Sequence, residues 1–131
     1  MHTVAEILHV KGRQFNNIDA FTSVIDALNI MKSENLHYLI VFDKGKYAGI
    51  FSESDYLLNI DSHEKQPLHV PVKDLMSSKL PMVNAKDSAK QCMKLMNMYH
   101  TGWLPVFDEF NFKGVIGIND LMTDAIAFVE D

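Results

Sequence analysis

The chain has 131 residues, 47% of them hydrophobic and 22% charged, with a formal net charge of −5 and one arginine, Arg13. This length suffices for one globular unit or two packed halves without a metal or disulfide staple. The acidic balance argues against nucleic acid as the main partner, because phosphate-backbone recognition needs clustered lysine and arginine. The sequence has no apolar run of membrane-spanning length and no secretory-signal pattern at its start, so it predicts no membrane partner and a cytoplasmic location.

Two predicted helices carry a core-facing stripe at helical spacing. The apolar positions of each stripe recur at i, i+3, i+4 and i+7, which is typical of a helix with one buried face. A serine beside the start of each helix, Ser23 and Ser88, is next to a plausible N-cap. The two stripes consist of Val24, Ala27, Leu28 and Met31, and of Ala89, Cys92, Met93 and Met96. The single cysteine, Cys92, therefore fits a small core residue, and no Cys–His cluster has the spacing of a zinc site.

Each helix is followed by two predicted strands and a second helix. The continuously apolar runs "YLIVF" and "WLPVF" predict buried strands, and "YAGIF" and "KGVIG" predict the strands that return beside them. These returning strands run into helices predicted over residues 54–60 and 119–129. The polar, proline-punctuated residues 61–71 predict a linker. The predicted unit is helix, strand, strand, helix, and it occurs twice.

The two copies form an internal repeat. They align without a gap from residue 18 to residue 57 at an offset of 65, which pairs "VFD" with "VFD", Gly49 with Gly114 and Asp55 with Asp120. Upstream, "VAEIL" pairs with "VKDLM" at an offset of 68. The repeat predicts an α/β (α+β-like) fold of two pseudo-symmetric halves, each a small sheet packed with two helices. The predicted boundaries are residues 1–60, a linker over 61–71, and residues 72–131.

This pattern resembles the tandem CBS-domain pair, or Bateman module, of the stand-alone kind. The resemblance is carried by "GIFSESDY" in the first copy and by "VKDLM", "CMKLM", "WLPVFD" and "GVIGINDL" in the second. It implies two α/β halves with a cleft that binds adenosine-containing ligands, and a regulatory rather than enzymatic role. No cofactor is expected to be required. An adenine nucleoside or nucleotide is the expected partner.

The two aspartates at the strand-to-helix junctions are the candidate ribose ligands. An ionised carboxylate at a helix N-terminus can accept hydrogen bonds from both hydroxyls of a ribose. The resemblance places the ribose on Asp55 and Ser52, with Asn17, Ile18, Leu39 and Ile40 around the base. The second copy would use Asp120 with Val83, Leu104 and Pro105. An alternative is open: Ser-x-x-Asp is close to a capping box, in which Asp55 only reaches back to the helix start.

Two departures from the family pattern bear on the ligand. Gly117 replaces the hydroxyl residue expected in the second copy, so the first site is expected to be competent and the second weakened. Ser54 and Asn119 stand where relatives often carry an arginine, which leaves Lys11, Lys79 or Lys113 as candidate phosphate ligands. The expected ligand is therefore AMP, adenosine or an S-adenosyl compound rather than ATP. The alternative is a homodimeric interaction module whose clefts are degenerate and bind nothing.

A second apolar stripe on the helices of the second copy predicts a homodimer. Extra apolar surface beside a core stripe indicates a protein–protein contact, and in CBS modules the corresponding helices form the homodimer face. The residues expected at this face are Leu95, Met98, Tyr99, Leu121 and Phe128. The alternative is that both stripes are covered within the chain.

Overall fold

The chain folds into two compact units that are not consecutive in sequence. The computed structural model describes residues 2–60 and 67–130, without the side chains of residues 67 and 128–130. One unit, called here the first-copy unit, is Phe15–Lys79. The other, the second-copy unit, combines Met1–Gln14 with Leu80–Asp131.

The first-copy unit is a three-stranded sheet with helices. Its strands are β1 (Asn17–Asp19), β2 (Tyr38–Asp43) and β3 (Lys46–Ser52), in the order β1-β2-β3. β1 is parallel to β2, and β2 is antiparallel to β3. Its helices are α2 (Val24–Glu34) and α3 (Glu53–Leu58), and two 3-10 turns follow at Pro67–His69 and Val72–Asp74.

The second-copy unit repeats this sheet and adds a helix from the start of the chain. Its strands are β4 (Val83–Asn84), β5 (Trp103–Asp108) and β6 (Asn111–Gly117), with the same order and directions. Its helices are α1 (Val4–Lys11), α4 (Ala89–Tyr99) and α5 (Ile118–Glu130). The predicted α/β class with two similar halves is confirmed.

Each unit has its own core, packed on one face of its sheet. Because side chains alternate across a strand, Leu39, Val41 and Phe51 enter the first-copy core together with residues of α2 and of the segment after residue 67. The second-copy core is built from α1, α4, α5 and the equivalent sheet residues Leu104 and Val106. Ser23 and Ser88 are the N-caps of α2 and α4, and each accepts a hydrogen bond from a backbone N–H of the first turn.

Three details of the predicted pattern need correction. The predicted unit of helix, strand, strand, helix lacks one strand in each half. The additional strands are β1 and β4, which pair in parallel with β2 and β5. Met93 was placed on the core stripe of α4 but is 51% exposed. On α5 the sequence predicts a core line of Met122, Ala125 and Val129, but Met122 is 56% exposed, whereas Leu121 is 1% exposed and belongs to the core.

The compact units do not follow the predicted boundaries at residues 60 and 72. Residues 1–14 precede the first copy in sequence but pack with the second, and residues 72–79 pack with the first. α1 brings Val4 and Ile7 into the second-copy core, and Val72 and Leu75 enter the first-copy core. Of the predicted linker, residues 61–66 lie outside the described residues, while Val70 is also a first-copy core residue.

Candidate functional site

The junction between β3 and α3 holds Asp55 in a closed set of hydrogen bonds. Its Oδ2 accepts from the backbone N–H of Ser52 at 2.8 Å and from the Ser52 hydroxyl at 3.2 Å. Its Oδ1 accepts from the Ser77 hydroxyl at 2.7 Å. Asp55 is only 9% exposed. The bond to the Ser52 N–H is the reach-back contact of a capping box, so the capping interpretation is realised here whether or not a ligand binds.

Burial sets the ionisation of this carboxyl group. Removal from water raises the pKa of Asp55 above its ordinary value of 3.8, while the hydrogen bonds from Ser77 and Ser52 oppose the rise. The charged form is therefore held by neutral donors and not by a cation. Within the described residues Asp55 has no ion-pair partner.

The equivalent junction between β6 and α5 holds Asp120 differently. Asp120 Oδ2 accepts from the Gly117 N–H at 2.7 Å and from Lys11 Nζ at 2.8 Å. Its Oδ1 accepts no hydrogen bond within the described residues. The side chains of Lys11 and Asp120 are 22% and 20% exposed. The second junction thus contains an ion pair and one carboxylate oxygen available to a donor.

Gly117 at this junction leaves space for the side chain of its cross-strand neighbour, Trp103. Trp103 pairs with Gly117 across β5 and β6, where Tyr38 pairs with Ser52 in the other copy. A Cβ placed on Gly117 would lie 3.2 Å from Trp103 Cδ1 and 3.5 Å from Asp120 Oδ2. The glycine therefore makes room for the indole, and its N–H still binds the aspartate.

The edge strands β3 and β6 also form hydrogen bonds with different groups in the two units. In the first-copy unit Ile50 exchanges two backbone hydrogen bonds with Ser77, at 3.0 and 2.9 Å. In the second-copy unit the equivalent residue, Val115, bonds the side-chain amide of Gln14. Gln14 Nε2 donates to the Val115 carbonyl at 2.9 Å, and the Val115 N–H donates to Gln14 Oε1 at 3.2 Å. Lys11 Nζ donates to the same carbonyl at 3.1 Å.

A groove along α1 and α5 reaches the second junction. Its volume is about 200 Å³. It is lined by His2, Ile7, Val10, Lys11, Asp120, Thr123, Asp124 and Ala127. At its other end His2 Nδ1 lies 2.5 Å from Asp124 Oδ1, and this contact raises the pKa of His2 and lowers the pKa of Asp124. The groove is therefore bounded by two polar pairs.

The residues predicted around a base fall into two groups. Leu39, Val83 and Leu104 are fully buried in the cores, so a ligand can reach only their backbone without disturbing the packing. Ile40 and Pro105 follow core residues in their strands and so point to the opposite face of the sheet. Ile18 is partly buried and Asn17 is exposed.

Three residues of the two junctions were not identified as partners from the sequence. Ser77 lies 22 positions from Asp55, Gln14 lies 101 positions from Val115, and Lys11 lies 109 positions from Asp120. Lys11 was considered only as a phosphate ligand, and the other two candidate lysines, Lys79 and Lys113, are exposed. The exchange of flanking segments between the copies hides these contacts, because it breaks the register of the repeat.

The predicted dimer face is altered by the observed burial. Met98 and Tyr99 are 59% and 49% exposed. Leu95 is partly buried against the second-copy core and Leu121 is a core residue, so neither presents a free apolar side chain. The side chain of Phe128 lies outside the described residues. Exposed apolar side chains on this unit are instead added by Met93, Ile118, Met122 and Ile126.

Metal and membrane sites are not found in the part of the chain that the structure describes. Between residues 2 and 60 and between 67 and 130, histidine, cysteine and carboxylate side chains do not gather in threes as they would around a metal ion. None of the helices in these ranges has the length and apolar character needed to cross a bilayer.

Known proteins share both the repeat and the fold. The CBS domain family model matches residues 10–62 and 72–126. The mitochondrial CBS domain-containing protein CBSX3 of Arabidopsis thaliana is 26% identical over 129 residues, which are 92% of this chain and 63% of that protein's length. The crystal structure of the CBS domain NE2398 has a TM-score of 0.86 at 30% identity and covers 96% of this chain and 99% of its own. A crystal structure of CBSX2 in complex with AMP has a TM-score of 0.76 at 20% identity, covering 98% of each chain.

These matches confirm the resemblance read from the sequence. The two segments of the family model fall on the two repeat copies and together cover well over half of the chain. This protein belongs to the CBS-domain family, as a CBS-domain pair, a regulatory module.

Proposed function

We propose that this module senses an adenosine-containing small molecule and that it acts by regulation rather than catalysis. AMP, adenosine or an S-adenosyl compound is the proposed ligand, in preference to ATP. The AMP complex of CBSX2, which has the same fold, supports the class of ligand. A change in packing on ligand binding would carry the signal, because a ligand shifts a protein toward the state that it binds better.

The observation that carries this proposal is the open carboxylate oxygen of Asp120. Asp120 Oδ2 is already bonded to Gly117 and Lys11, and Oδ1 has no donor within the described residues. A carboxylate oxygen offers two lone pairs, so Oδ1 can accept from the neighbouring hydroxyls of a ribose. Charge-assisted hydrogen bonds of this kind are roughly twice as strong as neutral ones.

The Asp55 junction is the less accessible of the two proposed ribose sites. Both oxygens of Asp55 already accept hydrogen bonds, and the side chain is 9% exposed. A ribose hydroxyl would have to reach the one remaining lone pair of the buried Oδ1 or replace the Ser77 hydroxyl. The geometry therefore favours the second junction, which reverses the order expected from Gly117. The base would contact backbone atoms, those of β2 at the Asp55 junction or those of β5 at the Asp120 junction, because Ile40 and Pro105 are themselves buried.

The proposed preference against ATP follows from the charges at the junctions. Lys11 is the one cation in an ion pair with either junction aspartate within the described residues. A triphosphate brings up to four negative charges, and a single ammonium group leaves most of them uncompensated.

Isothermal titration calorimetry with adenosine, AMP, ATP and S-adenosylmethionine tests the proposal. Asp120→Ala is expected to abolish AMP and adenosine binding, whereas the matched control Glu109→Ala, an exposed carboxylate in the same unit, should bind as wild type does. Asp55→Ala is expected to retain binding if the variant is folded. ATP binding as tight as AMP binding would contradict the proposed preference.

The second candidate function is a homodimeric interaction module with degenerate clefts. It is favoured by the buried carboxylate of Asp55, both oxygens of which already accept hydrogen bonds, and by Ser54 and Asn119 in place of arginine. Calorimetry that detects no binding of any of the four compounds to the wild-type protein would make this the better function.

We also propose that the module is a homodimer through α4 and α5. Several apolar side chains are exposed on these helices, and exposed apolar surface of this kind marks protein–protein contacts. They are Met93, Met98, Tyr99, Ile118, Met122 and Ile126. A double substitution, Met98→Lys with Met122→Lys, is expected to give a monomer in light scattering. The matched control is Leu58→Lys, at an apolar position of α3 that is 80% exposed. A monomeric wild type at micromolar concentration would contradict the dimer.

A further inference from the structure

We infer that Lys11 makes the Asp120 junction selective for a ligand with an anionic group next to its ribose, so that AMP binds better than adenosine and S-adenosylmethionine worst. This inference rests on the proposed function, since it concerns the same site.

Lys11 is held beside the carboxylate that would bind the ribose. It is the last residue of α1, and its ammonium lies 2.8 Å from Asp120 Oδ2 and 3.1 Å from the Val115 carbonyl. The side chain is 22% exposed, so it is partly shielded from water. A charge in such a place interacts more strongly with a ligand than a lysine in open solvent does.

The ammonium can turn toward a phosphate without leaving the Val115 carbonyl unsatisfied. The Val115 carbonyl accepts from Gln14 Nε2 at 2.9 Å as well as from Lys11. If Lys11 exchanges its bond to this carbonyl for a phosphate oxygen, Gln14 still satisfies the carbonyl. Buried acceptors that lose their last partner are costly, and this arrangement avoids that cost.

The groove beside Lys11 has room for part of a ligand. Its volume of about 200 Å³ is below the roughly 300–1,000 Å³ usual for whole ligand sites. It is therefore large enough for a phosphate or sugar but not for an entire nucleotide. The other carboxylate that lines it, Asp124, is paired with His2. A phosphate near Lys11 would thus lie close to one cation and two carboxylates. Each carboxylate already has a partner, Lys11 for Asp120 and His2 for Asp124.

The charges of the three candidate ligands order their expected affinities. The Lys11–Asp120 pair is neutral as a whole, so adenosine can use Asp120 Oδ1 alone. AMP gains the additional contact of its phosphate with the ammonium. S-adenosylmethionine carries a sulfonium cation near its ribose, and the ammonium of Lys11 repels it. The Asp55 junction has no ion-pair cation within the described residues and offers no such discrimination.

Calorimetry on three lysine variants tests this inference with AMP, adenosine and S-adenosylmethionine. Lys11→Met keeps the length of the aliphatic stem and removes the charge. It is expected to weaken AMP binding about tenfold or more, to leave adenosine within about twofold, and to strengthen S-adenosylmethionine. Lys11→Arg should restore AMP binding. Lys86→Met, at an exposed lysine of the same unit that has no proposed role in binding, should bind all three as wild type does.

The outcomes separate this inference from the proposed function. Equal weakening of AMP and adenosine in Lys11→Met would mean that Lys11 only positions Asp120, and it would overturn the inference while adenosine sensing stands. Unchanged AMP binding in Lys11→Met, or an equal loss in Lys86→Met, would overturn it in the same way. A wild-type protein that binds none of the compounds would overturn the proposed function and the inference together.

Discussion

The two strand-to-helix junctions share one sequence pattern but stabilise their aspartates in opposite ways. Asp55 is buried, and both of its carboxylate oxygens accept hydrogen bonds from neutral donors, of which Ser77 is one. Asp120 is partly exposed, carries the ammonium of Lys11 on one oxygen and keeps the other oxygen open. Both oxygens of the aspartate in the first copy therefore accept structural hydrogen bonds. In the second copy one oxygen of the equivalent aspartate accepts none within the described residues. The difference comes from the segments that pack against each junction and not from the repeat itself.

The largest expected effect compares the two aspartates in stability. Asp55→Ala leaves the Ser52 N–H and the Ser77 hydroxyl without their acceptor in a buried place, which is expected to lower the free energy of unfolding by about 2–3 kcal/mol. Asp120→Ala leaves groups that are nearer to water and is expected to cost about 1 kcal/mol or less. Urea unfolding followed by circular dichroism measures both. Equal losses would show that the two junctions are equivalent.

The pairing of Gly117 with Trp103 gives the next effect. Gly117→Ser places a Cβ 3.2 Å from the indole, and overpacking of this kind is expected to cost about 1–2 kcal/mol. In a Trp103→Tyr background, which reproduces the Tyr38–Ser52 pair of the other copy, the same substitution is expected to cost less than about 0.5 kcal/mol. A double-mutant cycle in urea measures the coupling. Additive losses would mean that the glycine is not required by the tryptophan.

The sheet edges provide a smaller and more local effect. Gln14→Ala removes two hydrogen bonds to Val115 and is expected to cost about 1 kcal/mol. Amide hydrogen exchange should then become faster at Val115 and stay unchanged at Ile50, whose partner is the Ser77 backbone. Unaltered protection at Val115 would mean that another group closes this edge.

The smallest expected effect is the pH dependence of the contribution of Asp55 to the free energy of unfolding. Its pKa is raised by burial above 3.8, so the folded chain binds more protons than the unfolded chain between that value and the folded pKa. Stability from this group is therefore fully present below 3.8 and falls as the pH rises through the folded pKa. The loss on Asp55→Ala should accordingly be larger near pH 4 than at pH 7. Unfolding curves of both proteins at the two pH values test the sign.

Much of the fold could be predicted from the sequence, because each copy has strong local patterns. The apolar runs of β2 and β5 and the helical stripe of α2 are long enough to be recognised, and the repeat reinforces them. β1 and β4 were missed since strands of three and two residues have no periodic signal. The two stripes of α5 are both apolar, so the sequence did not distinguish Leu121 from Met122.

The candidate site could be predicted only in part. Asp55 and Asp120 were identified because they belong to the repeated junction. Ser77, Lys11 and Gln14 lie outside the aligned segment of residues 18–57, and no spacing rule connects them with their partners. The expected order of the two junctions rested on Gly117 alone, and the partners of each carboxylate now favour the opposite order.

The exchange of flanking segments also determines how this chain can be divided. A fragment of residues 15–79 contains every residue of the first-copy core, from Ala20 to Leu75. A fragment cut at the repeat boundary, residues 1–60, loses Val70, Val72 and Leu75 and keeps α1, whose core partners it lacks. The boundaries of the sequence repeat and the boundaries of the compact units thus fall at different residues. An expression fragment designed on the duplication would cut through both hydrophobic cores, while one designed on the packing would leave one of them whole.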